Sequence, residues 1–335
     1  MAQKVLLIDD SMFVGSYLCK NLSETGYEVT MLSSSSTRPY LPAVEFLVAD
    51  RNTEEFFILL KDRNFDVVID TCLNDREQAI IMEKLFRAGF TSRFIFFSSI
   101  SVFGINATWN LPLKADSPML PDSEEAVAKK DVQNILEGTA KDIGMSMYTC
   151  YLPHLFGPRS NIVYEMVPFQ LLMHDRPILL EAHGQYLLAN GYVENIVEAI
   201  SCMVRTSKKT IQSWMVAGEG LVTQKEWVNF MGNFLGMEPQ YYHLSKKIKQ
   251  GLFDTEQMSW KWPYLNKHVV LDLEPLKNDF NFKTKLSIFD GLEKTLIWIQ
   301  NKKIEDTFNT VQWDLSVVEK FYKDFKEFEI PEANH

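Results

Sequence analysis

The first half of the chain alternates between short apolar, β-rich runs and segments with the apolar spacing of helices. This alternation limits the possible folds more than any other feature, because strands that alternate with helices form parallel sheets with helical crossovers. We therefore predict an α/β fold with a doubly wound parallel sheet. The predicted strands are Lys4–Ile8, Glu28–Leu32, Glu45–Val48, Asp66–Asp70, Arg93–Phe97 and Met147–Leu152, and the predicted helices are Phe13–Thr25, Thr53–Lys61, Arg76–Ala88 and Ala126–Ile143.

The pattern becomes irregular after Pro158, which indicates a second, smaller unit of mixed α/β structure. A chain of 335 residues, 46% of them hydrophobic, can bury a core large enough for both units. We predict a parallel-sheet domain over residues 1–158, elements of the smaller domain interleaved with late sheet elements over residues 159–305, and a C-terminal helical extension over residues 306–335. The predicted elements of the second half are a helix at Val163–His174, a strand at Ser213–Ala217 and a helix at Gln224–Leu235.

Charge and composition exclude several classes of protein. The apolar stretches are strand-sized and interrupted by charges, and the first residues resemble no signal peptide, so we expect a cytoplasmic protein without membrane contact. A formal net charge of -10 disfavours broad contact with nucleic acid. The four cysteines are widely spaced, which favours reduced core residues over disulfides or a metal site.

Chemically useful side chains follow the fifth predicted strand. The apolar run from Phe94 ends in Ser98 and Ser99, which places hydroxyls at the carboxyl edge of the sheet, where open α/β sheets bind ligands. Farther along, Lys129 follows Glu125 by one helical turn, so the two lie on the same helix face.

This order of residues resembles extended short-chain dehydrogenases/reductases of the nucleotide-sugar epimerase/dehydratase type, over roughly residues 1–300. In that family a serine ends the fifth strand, and a Tyr-x-x-x-Lys helix supplies an acid/base tyrosine and a lysine for the nicotinamide ribose. Ser99 and Lys129 match, whereas Glu125 stands at the tyrosine position. The resemblance implies a Rossmann-like dinucleotide-binding domain and catalytic roles for Ser99, Glu125 and Lys129. A carboxylate with an ordinary pKa of about 4.3 is a far weaker base than tyrosinate, and an ordinary exposed ion pair on the helix explains Glu125 and Lys129 equally well.

The loop after the first strand departs from the family. Its relatives carry Gly-x-x-Gly-x-x-Gly there, and the corresponding residues here are Asp9, Met12 and Gly15. A carboxylate and a long side chain thus stand where the backbone approaches the pyrophosphate of NAD or NADP. The resemblance assigns cofactor contacts in this loop to Ser11, Met12, Phe13, Val14 and Gly15.

Other cofactor contacts are implied farther along. Ser33 and the serines after it, with Arg38, suit the 2′-phosphate of NADP, although a polar surface turn explains them equally well. Asp50 matches the family aspartate that contacts adenine. Pro153 lies in a segment similar to the family's Arg-Pro-x-x-x-Tyr-Gly-Pro, which borders the nicotinamide. Lys129 is implied to contact the nicotinamide ribose in addition to its catalytic role.

Three further side-chain assignments concern the second half. Arg159 and Arg176 are candidates for holding a substrate phosphate, with surface placement as the alternative. Glu194 lies in Gly191–Asn195, a segment similar to the family's Tyr-Val-x-Asp-Leu, and is predicted to start a helix rather than to act in catalysis.

The leading hypothesis is an NAD(P)-dependent epimerase, dehydratase or reductase acting on a nucleotide sugar or a related small hydroxylated substrate, with reduced or altered activity. The alternative is a catalytically inactive family member that binds RNA or another protein. The layout is similar to a branch that includes chloroplast stem-loop RNA-binding proteins, on the stretches Phe65–Asp70, Asp175–Ile178 and Lys267–Asp272. RNA binding would use the basic run Lys246–Lys249 beside Tyr241 and Tyr242.

Two more expectations remain. Family members commonly dimerise through two helices of each partner, so the resemblance implies a homodimer with a contribution from the Ala126–Ile143 helix.

A different interpretation starts from Val5–Ser11, which resembles the opening of a response-regulator receiver domain. Asp9 and Asp10 would then hold Mg²⁺ and Asp70 would accept a phosphoryl group.

Overall fold

The computed structural model describes residues 2–36, 44–104, 107–160, 166–175, 177–180, 182–243 and 267–301. Its strands are β1 (Lys4–Ile8), β2 (Glu28–Ser33), β3 (Glu45–Val48), β4 (Val67–Asp70), β5 (Arg93–Ser99), β6 (Ser146–Leu152), β7 (Ile178–Leu180), β8 (Leu187–Asn190), β9 (Ile211–Met215), β10 (Gly218–Thr223) and β11 (Tyr241–His243). Seven of them form one parallel sheet in the order β3-β2-β1-β4-β5-β6-β9.

Helices cover both faces of this sheet. They are α1 (Val14–Glu24), α2 (Glu54–Leu60), α3 (Arg76–Arg87), α4 (Glu124–Ile143), α5 (Met166–Met173), α6 (Val193–Arg205), α7 (Gln224–Leu235), α8 (Glu274–Phe280) and α9 (Ile288–Asn301). Apolar residues of α1 and α6 share one buried cluster, and those of α2, α3 and α4 share the cluster on the opposite face. The predicted doubly wound parallel sheet is therefore confirmed.

The central strands are buried on both faces, which explains their uninterrupted apolar sequences. β5 extends two residues beyond the predicted Arg93–Phe97 because Ser98 and Ser99 continue the parallel pairing with β6. α4 begins at Glu124, two residues before the prediction, because the Ser123 side chain accepts a hydrogen bond from the Ala126 N–H. It ends at Gly144, whose φ of 69° is readily adopted by glycine.

Smaller elements lie beyond β6. β8 and β10 form an antiparallel pair, and β7 and β11 form a parallel pair. The predicted helix Gln224–Leu235 is confirmed as α7, where Thr223 and Glu226 form a capping box. The strand predicted at Ser213–Ala217 lies at Ile211–Met215, because its pairing with β6 starts at Ile211. The predicted extension over residues 306–335 lies outside the described residues.

Among the described helices, none combines the length and the apolar character that crossing a membrane requires. All four cysteines are free thiols. The receiver-domain interpretation is wrong in its topology, because such folds order their strands 2-1-3-4-5, whereas β2 here lies between β1 and β3. In addition, Asp70 is paired with Arg51, and no metal-binding cluster of acidic, histidine or cysteine side chains is found within the described part of the chain.

Candidate nucleotide site and active site

Asp9 lies beneath the loop that follows β1. Its carboxylate, with only 1% of the residue exposed, accepts hydrogen bonds from the Met12 N–H at 2.6 Å and the Ser11 hydroxyl at 3.0 Å. The Thr71 hydroxyl, after β4, also donates to it. Burial raises the pKa of Asp9 above its ordinary value, although these hydrogen bonds act in the opposite direction. The side chain therefore closes the loop from inside.

The loop keeps a backbone path that glycine favours. Met12, at the position of the family's second glycine, has a φ of 56°, a left-handed conformation that is uncommon for residues with a side chain. Gly15, at the third position, lies so close to Asp9 that an added Cβ would stand 2.5 Å from the Asp9 carboxylate carbon. The loop thus has a tight turn of the kind that glycine favours, with a carboxylate at Asp9 and a long side chain at Met12.

Two amides of the loop are already engaged inside the protein. The Met12 N–H donates to Asp9, and the Phe13 N–H donates to the Ser11 hydroxyl at 3.2 Å. α1 starts directly afterwards with Val14 and Gly15 and has no acidic residue in its first turn, but the Asp9 carboxylate lies against Gly15 at its positive end. Pyrophosphate contacts are predicted for five residues of this segment: Ser11, Met12, Phe13, Val14 and Gly15. The amides of Met12 and Phe13 are engaged within the protein, whereas Val14 and Gly15 form the start of α1.

A second carboxylate crosses from this loop to the end of β2. Asp10 accepts a hydrogen bond from the Ser34 N–H at 2.7 Å and one from the Ser33 hydroxyl at 3.3 Å. Ser33 is fully buried and also accepts from the Ser35 N–H at 3.2 Å. The hydroxyl of Ser33, a predicted cofactor contact, thus serves the protein's own turn. Arg38, predicted beside it, lies outside the described residues.

Asp50, the predicted adenine contact, is exposed at the end of β3. Its carboxylate accepts from the Asn52 N–H and from the Asn52 side-chain amide, each at 2.9 Å, and so shapes its own turn. The next residue, Arg51, points inward and forms a buried ion pair with Asp70 at 2.5 Å. The sequence analysis missed this pair, and its only signal was an aspartate that ends an apolar strand.

Lys129 is 7% exposed, and its ammonium group is held by main-chain carbonyls. It donates to Leu73 O at 2.9 Å and to Phe97 O at 3.2 Å, and lies 5.5 Å from the centre of the Phe96 ring. Burial lowers the pKa of Lys129, and the negative charges of Asp70 and Glu125 partly offset this effect. The alternative of an exposed helix pair is wrong for Lys129, because this side chain ties the β4–α3 connection to β5.

The other two predicted catalytic residues are more accessible. Ser99, at the end of β5, is half-buried and accepts a hydrogen bond from the Ser101 N–H at 3.1 Å, which leaves its own O–H able to donate. Glu125 is exposed in the first turn of α4, one turn before Lys129. An acid in a first helical turn is also stabilised by the helix dipole.

The segment after β6 is largely structural. Pro153 is buried, and Phe156 packs its ring against Tyr192 and Trp227. Glu194 accepts hydrogen bonds from the Tyr192 hydroxyl at 2.9 Å and from Lys294 at 3.0 Å at the start of α6, as expected for a helix-start acid. Arg159 is exposed, and Arg176 lies outside the described residues.

The two ends of a dinucleotide meet different surroundings in this arrangement. Acceptor oxygens of Asp10 stand at the end of β2, and a tight glycine-like turn precedes α1, as an adenosine and its pyrophosphate require. At the other end, the tyrosine position holds Glu125 and the lysine ammonium is enclosed by carbonyls. The residues present therefore fit the adenosine half of the cofactor better than the catalytic half.

The chain belongs to the NAD dependent epimerase/dehydratase family, whose sequence model matches residues 11–217. Among known proteins it is similar to the chloroplast stem-loop binding protein of 41 kDa b from Arabidopsis thaliana. The two are 23% identical over 314 residues, which cover 87% of this chain and 77% of the plant protein. The predicted family is thereby confirmed, and the plant protein is a stem-loop binding protein of the kind that the sequence resemblance names.

Solved structures share the fold at low sequence identity. A dTDP-glucose 4,6-dehydratase from Bacillus anthracis, in complex with NAD, superposes with a TM-score of 0.73 at 14% identity and covers 90% of this chain and 98% of its own. A UDP-glucuronic acid 4-epimerase from Bacillus cereus, also in complex with NAD, gives a TM-score of 0.69 at 17% identity and covers 89% and 96%. The expected cofactor class, NAD or NADP, is thus confirmed at the level of the family.

Proposed function

We propose that this protein binds NAD and a small hydroxylated ligand, such as a nucleotide sugar, at the carboxyl edge of its sheet, without the tyrosine-dependent hydride transfer of its relatives. Family membership and the nucleotide-sugar enzymes that share the fold support the ligand class. The position of Lys129 is the observation that carries the proposed loss of chemistry.

An ammonium group that orients a ribose must have donors directed at the ligand. Two of the three donors of Lys129 are used by Leu73 O and Phe97 O inside the protein, and the side chain is nearly inaccessible. Glu125 replaces tyrosine four residues earlier, with a shorter reach and a much lower ordinary pKa. Both partners of the proton-transfer step are therefore unsuited to it.

Binding contacts remain at the same edge. When bound, NAD would accept a hydride from the substrate, and the enzyme must supply a base that removes the proton of the substrate's hydroxyl group. In this chain, Ser99 can donate its O–H to a ligand oxygen, the turn through Met12 leads the backbone to the start of α1, and Asp10 offers acceptor oxygens at the end of β2. These groups can hold and orient ligands.

The test separates binding from turnover. We would titrate the protein with NAD by calorimetry, and then add UDP-glucose, UDP-glucuronic acid or dTDP-glucose with NAD, following absorbance at 340 nm and separating the sugar nucleotides by chromatography. Micromolar binding without formation of NADH or an altered sugar is the expected result. Gly15→Asp serves as the damaged-site control, because Gly15 has no room for a side chain beside Asp9. Failure of the folded wild-type protein to bind NAD would overturn the proposal.

A second candidate is a slow enzyme that acts on a nucleotide sugar with Glu125 as its base. It is favoured by the exposure of Glu125 and by its place on α4 one helical turn before Lys129. Product formation that disappears in Glu125→Gln, with NAD binding unchanged, would establish this candidate. Such a result would contradict the loss of chemistry proposed above.

RNA or protein binding, the alternative from the sequence, rests on one relative's name and on surface residues that are mostly outside the described ranges. Of the predicted stacking residues, Tyr241 donates its hydroxyl to Asn229 and its ring faces Lys225 at 5.5 Å. This ring is therefore engaged within the protein. RNA binding is an outcome to be sought if NAD does not bind.

Assembly and organisation complete the proposal. Neighbouring helices α3 and α4 leave Ile80 and Val127 exposed, with 38% and 44% of these residues accessible, which supports a homodimer through these helices. The mass of the protein in solution, measured by light scattering after size-exclusion chromatography, would test for the homodimer. We retain residues 1–158 and 159–305 as the proposed cofactor and substrate units, and the cytoplasmic location stays a prediction from the sequence.

A further inference from the structure

We propose that Asp10, from the loop after β1, reads the ribose of the bound nucleotide in place of an acid on β2, and thereby selects NAD over NADP. This inference rests on the proposed NAD binding and adds the residue that sets the preference between the two cofactors. It reverses the NADP preference that the serines after β2 and Arg38 indicate in the sequence.

The placement of the carboxylate is unusual for its position in the sequence. Dinucleotide-binding domains hold the adenosine ribose with an acid about 20 residues after the glycine loop, at the end of the second strand. Here that strand ends at Ser33 and is followed by Ser34. Asp10 reaches the same point from the neighbouring strand, where its Oδ1 accepts hydrogen bonds from the Ser34 N–H at 2.7 Å and from the Ser33 hydroxyl at 3.3 Å.

These contacts fix the carboxylate without exhausting it. The Ser34 N–H and the Ser33 hydroxyl donate to Oδ1, at 2.7 and 3.3 Å, whereas Oδ2 has a long contact of 3.6 Å with the Cys72 thiol. A carboxylate offers about four lone-pair positions, so Oδ2 retains acceptor capacity for a hydroxyl pair. Asp10 is also exposed at the carboxyl edge of the sheet. A ribose diol could therefore approach Oδ2 without displacing the protein's own hydrogen bonds.

The charge of Asp10 is maintained by its surroundings. Partial burial acts to raise the pKa of Asp10, but hydrogen bonds from Ser34 and Cys72 and the positive charge of Arg51 more than offset it, so the pKa lies below its ordinary value. Arg51 itself is neutralised by Asp70 in a bidentate pair. An ionised carboxylate accepts from ribose hydroxyls and repels a 2′-phosphate at the same position.

The experiment is calorimetric titration of the full chain with NAD and with NADP, for the wild-type protein, Asp10→Ser and Asp10→Asn. We expect the wild-type protein to bind NAD at least tenfold more tightly than NADP. Asp10→Asn keeps an oxygen acceptor for the Ser34 N–H and removes the charge. Asp10→Ser removes the charge and shortens the side chain, so that it no longer extends to the end of β2. Both variants should bind NAD roughly tenfold more weakly and reduce the preference for NAD, as expected when a charged hydrogen-bond partner is removed.

The matched control is Asp62→Asn, an exposed aspartate between α2 and β4. It removes the same charge far along the chain from the loop and should leave both affinities unchanged. Binding of NAD with an unaltered NAD-to-NADP ratio in both Asp10 variants would overturn the inference while the proposed function stands. Tighter binding of NADP to the wild-type protein would also overturn it. Absence of binding by either cofactor to the folded wild-type protein would overturn the inference and the proposed function together.

Discussion

Arg51 and Asp70 form a buried ion pair between the ends of two strands, β3 and β4, that are separated in the sheet by β2 and β1. The guanidinium contacts both carboxylate oxygens, at 2.5 and 3.2 Å, and also donates to the Cys72 thiol at 3.2 Å. The side chains are 5% and 0% exposed. The pair therefore ties the connection after β3 to the middle of the sheet, directly beside the loop that carries Asp10.

Breaking this pair should be strongly destabilising. Arg51→Met leaves the Asp70 carboxylate buried without its partner, and we expect the free energy of unfolding to fall by about 3–5 kcal/mol in urea unfolding followed by tryptophan fluorescence. The double variant Arg51→Met/Asp70→Leu should lose clearly less than the sum of the single changes, because both buried charges are then absent. Arg87→Met, at an exposed pair with Asp142, is the control and should change stability much less. Additive losses at Arg51 and Asp70 would show that the two do not act as a pair.

Gly15 and Gly138 should respond in opposite directions to alanine. Both are helical, but a Cβ at Gly15 would overlap Asp9 at 2.5 Å, whereas a Cβ at Gly138 meets nothing within 4 Å. Gly15→Ala should destabilise the protein by about 1–3 kcal/mol through overpacking. Gly138→Ala should stabilise it by roughly 0.5–1 kcal/mol, because alanine has the higher helix propensity. Differential scanning calorimetry would measure both, and equal shifts of Tm would contradict the close packing of α1 against Asp9.

The sequence was sufficient for strands β1 to β6, because buried parallel strands carry uninterrupted apolar runs that stand out from amphipathic helices. It did not predict the short strands β7, β8, β10 and β11. It was sufficient for placing Ser99 at a strand end and for the helix that carries Lys129. These features depend on local patterns. Boundaries moved by one or two residues where a hydrogen bond outside the pattern decided them, as with the Ser123 cap of α4.

The directions of the polar side chains could not be predicted from the sequence. Lys129 points into the protein because the carbonyls of Leu73 and Phe97 converge there, and those carbonyls come from separate strands and connections. Asp10 crosses to β2, and Arg51 reaches Asp70 over two strands. Each contact joins residues far apart in sequence, so spacing along the chain carries no signal for it.

The contacts of Lys129 lead to a stability prediction. Lys129→Met keeps the length of the side chain but removes the donors to Leu73 O and Phe97 O, so these buried carbonyls lose a partner. We expect a loss of roughly 1–3 kcal/mol in urea unfolding. The neighbouring Lys130 is less buried and donates to Met119 O at 3.3 Å, so Lys130→Met should cost less. A larger loss for Lys130→Met would contradict the structural role assigned to Lys129.

The two neighbouring carboxylates of the loop should affect acid stability with opposite signs. Burial raises the pKa of Asp9 above 3.8, so folding favours its protonated form. Asp9 therefore destabilises the protein increasingly as pH rises from 3.8 through its folded pKa. The pKa of Asp10 lies below 3.8, so its stabilising contribution is complete above that pH and is lost as pH falls through its folded pKa.

Asp9→Asn and Asp10→Asn remove these titrations one at a time, and urea unfolding of each variant and the wild-type protein between about pH 3 and 7 would compare them. The stability of the wild-type protein relative to Asp9→Asn should decrease as pH rises above 3.8. Its stability relative to Asp10→Asn should increase as pH rises toward 3.8 and then stay constant. Each variant is the control for the other, because they remove the same charge from adjacent positions. If the stability curves of both variants ran parallel to that of the wild-type protein, burial would not raise the pKa of Asp9, and the contacts at the end of β2 would not lower the pKa of Asp10.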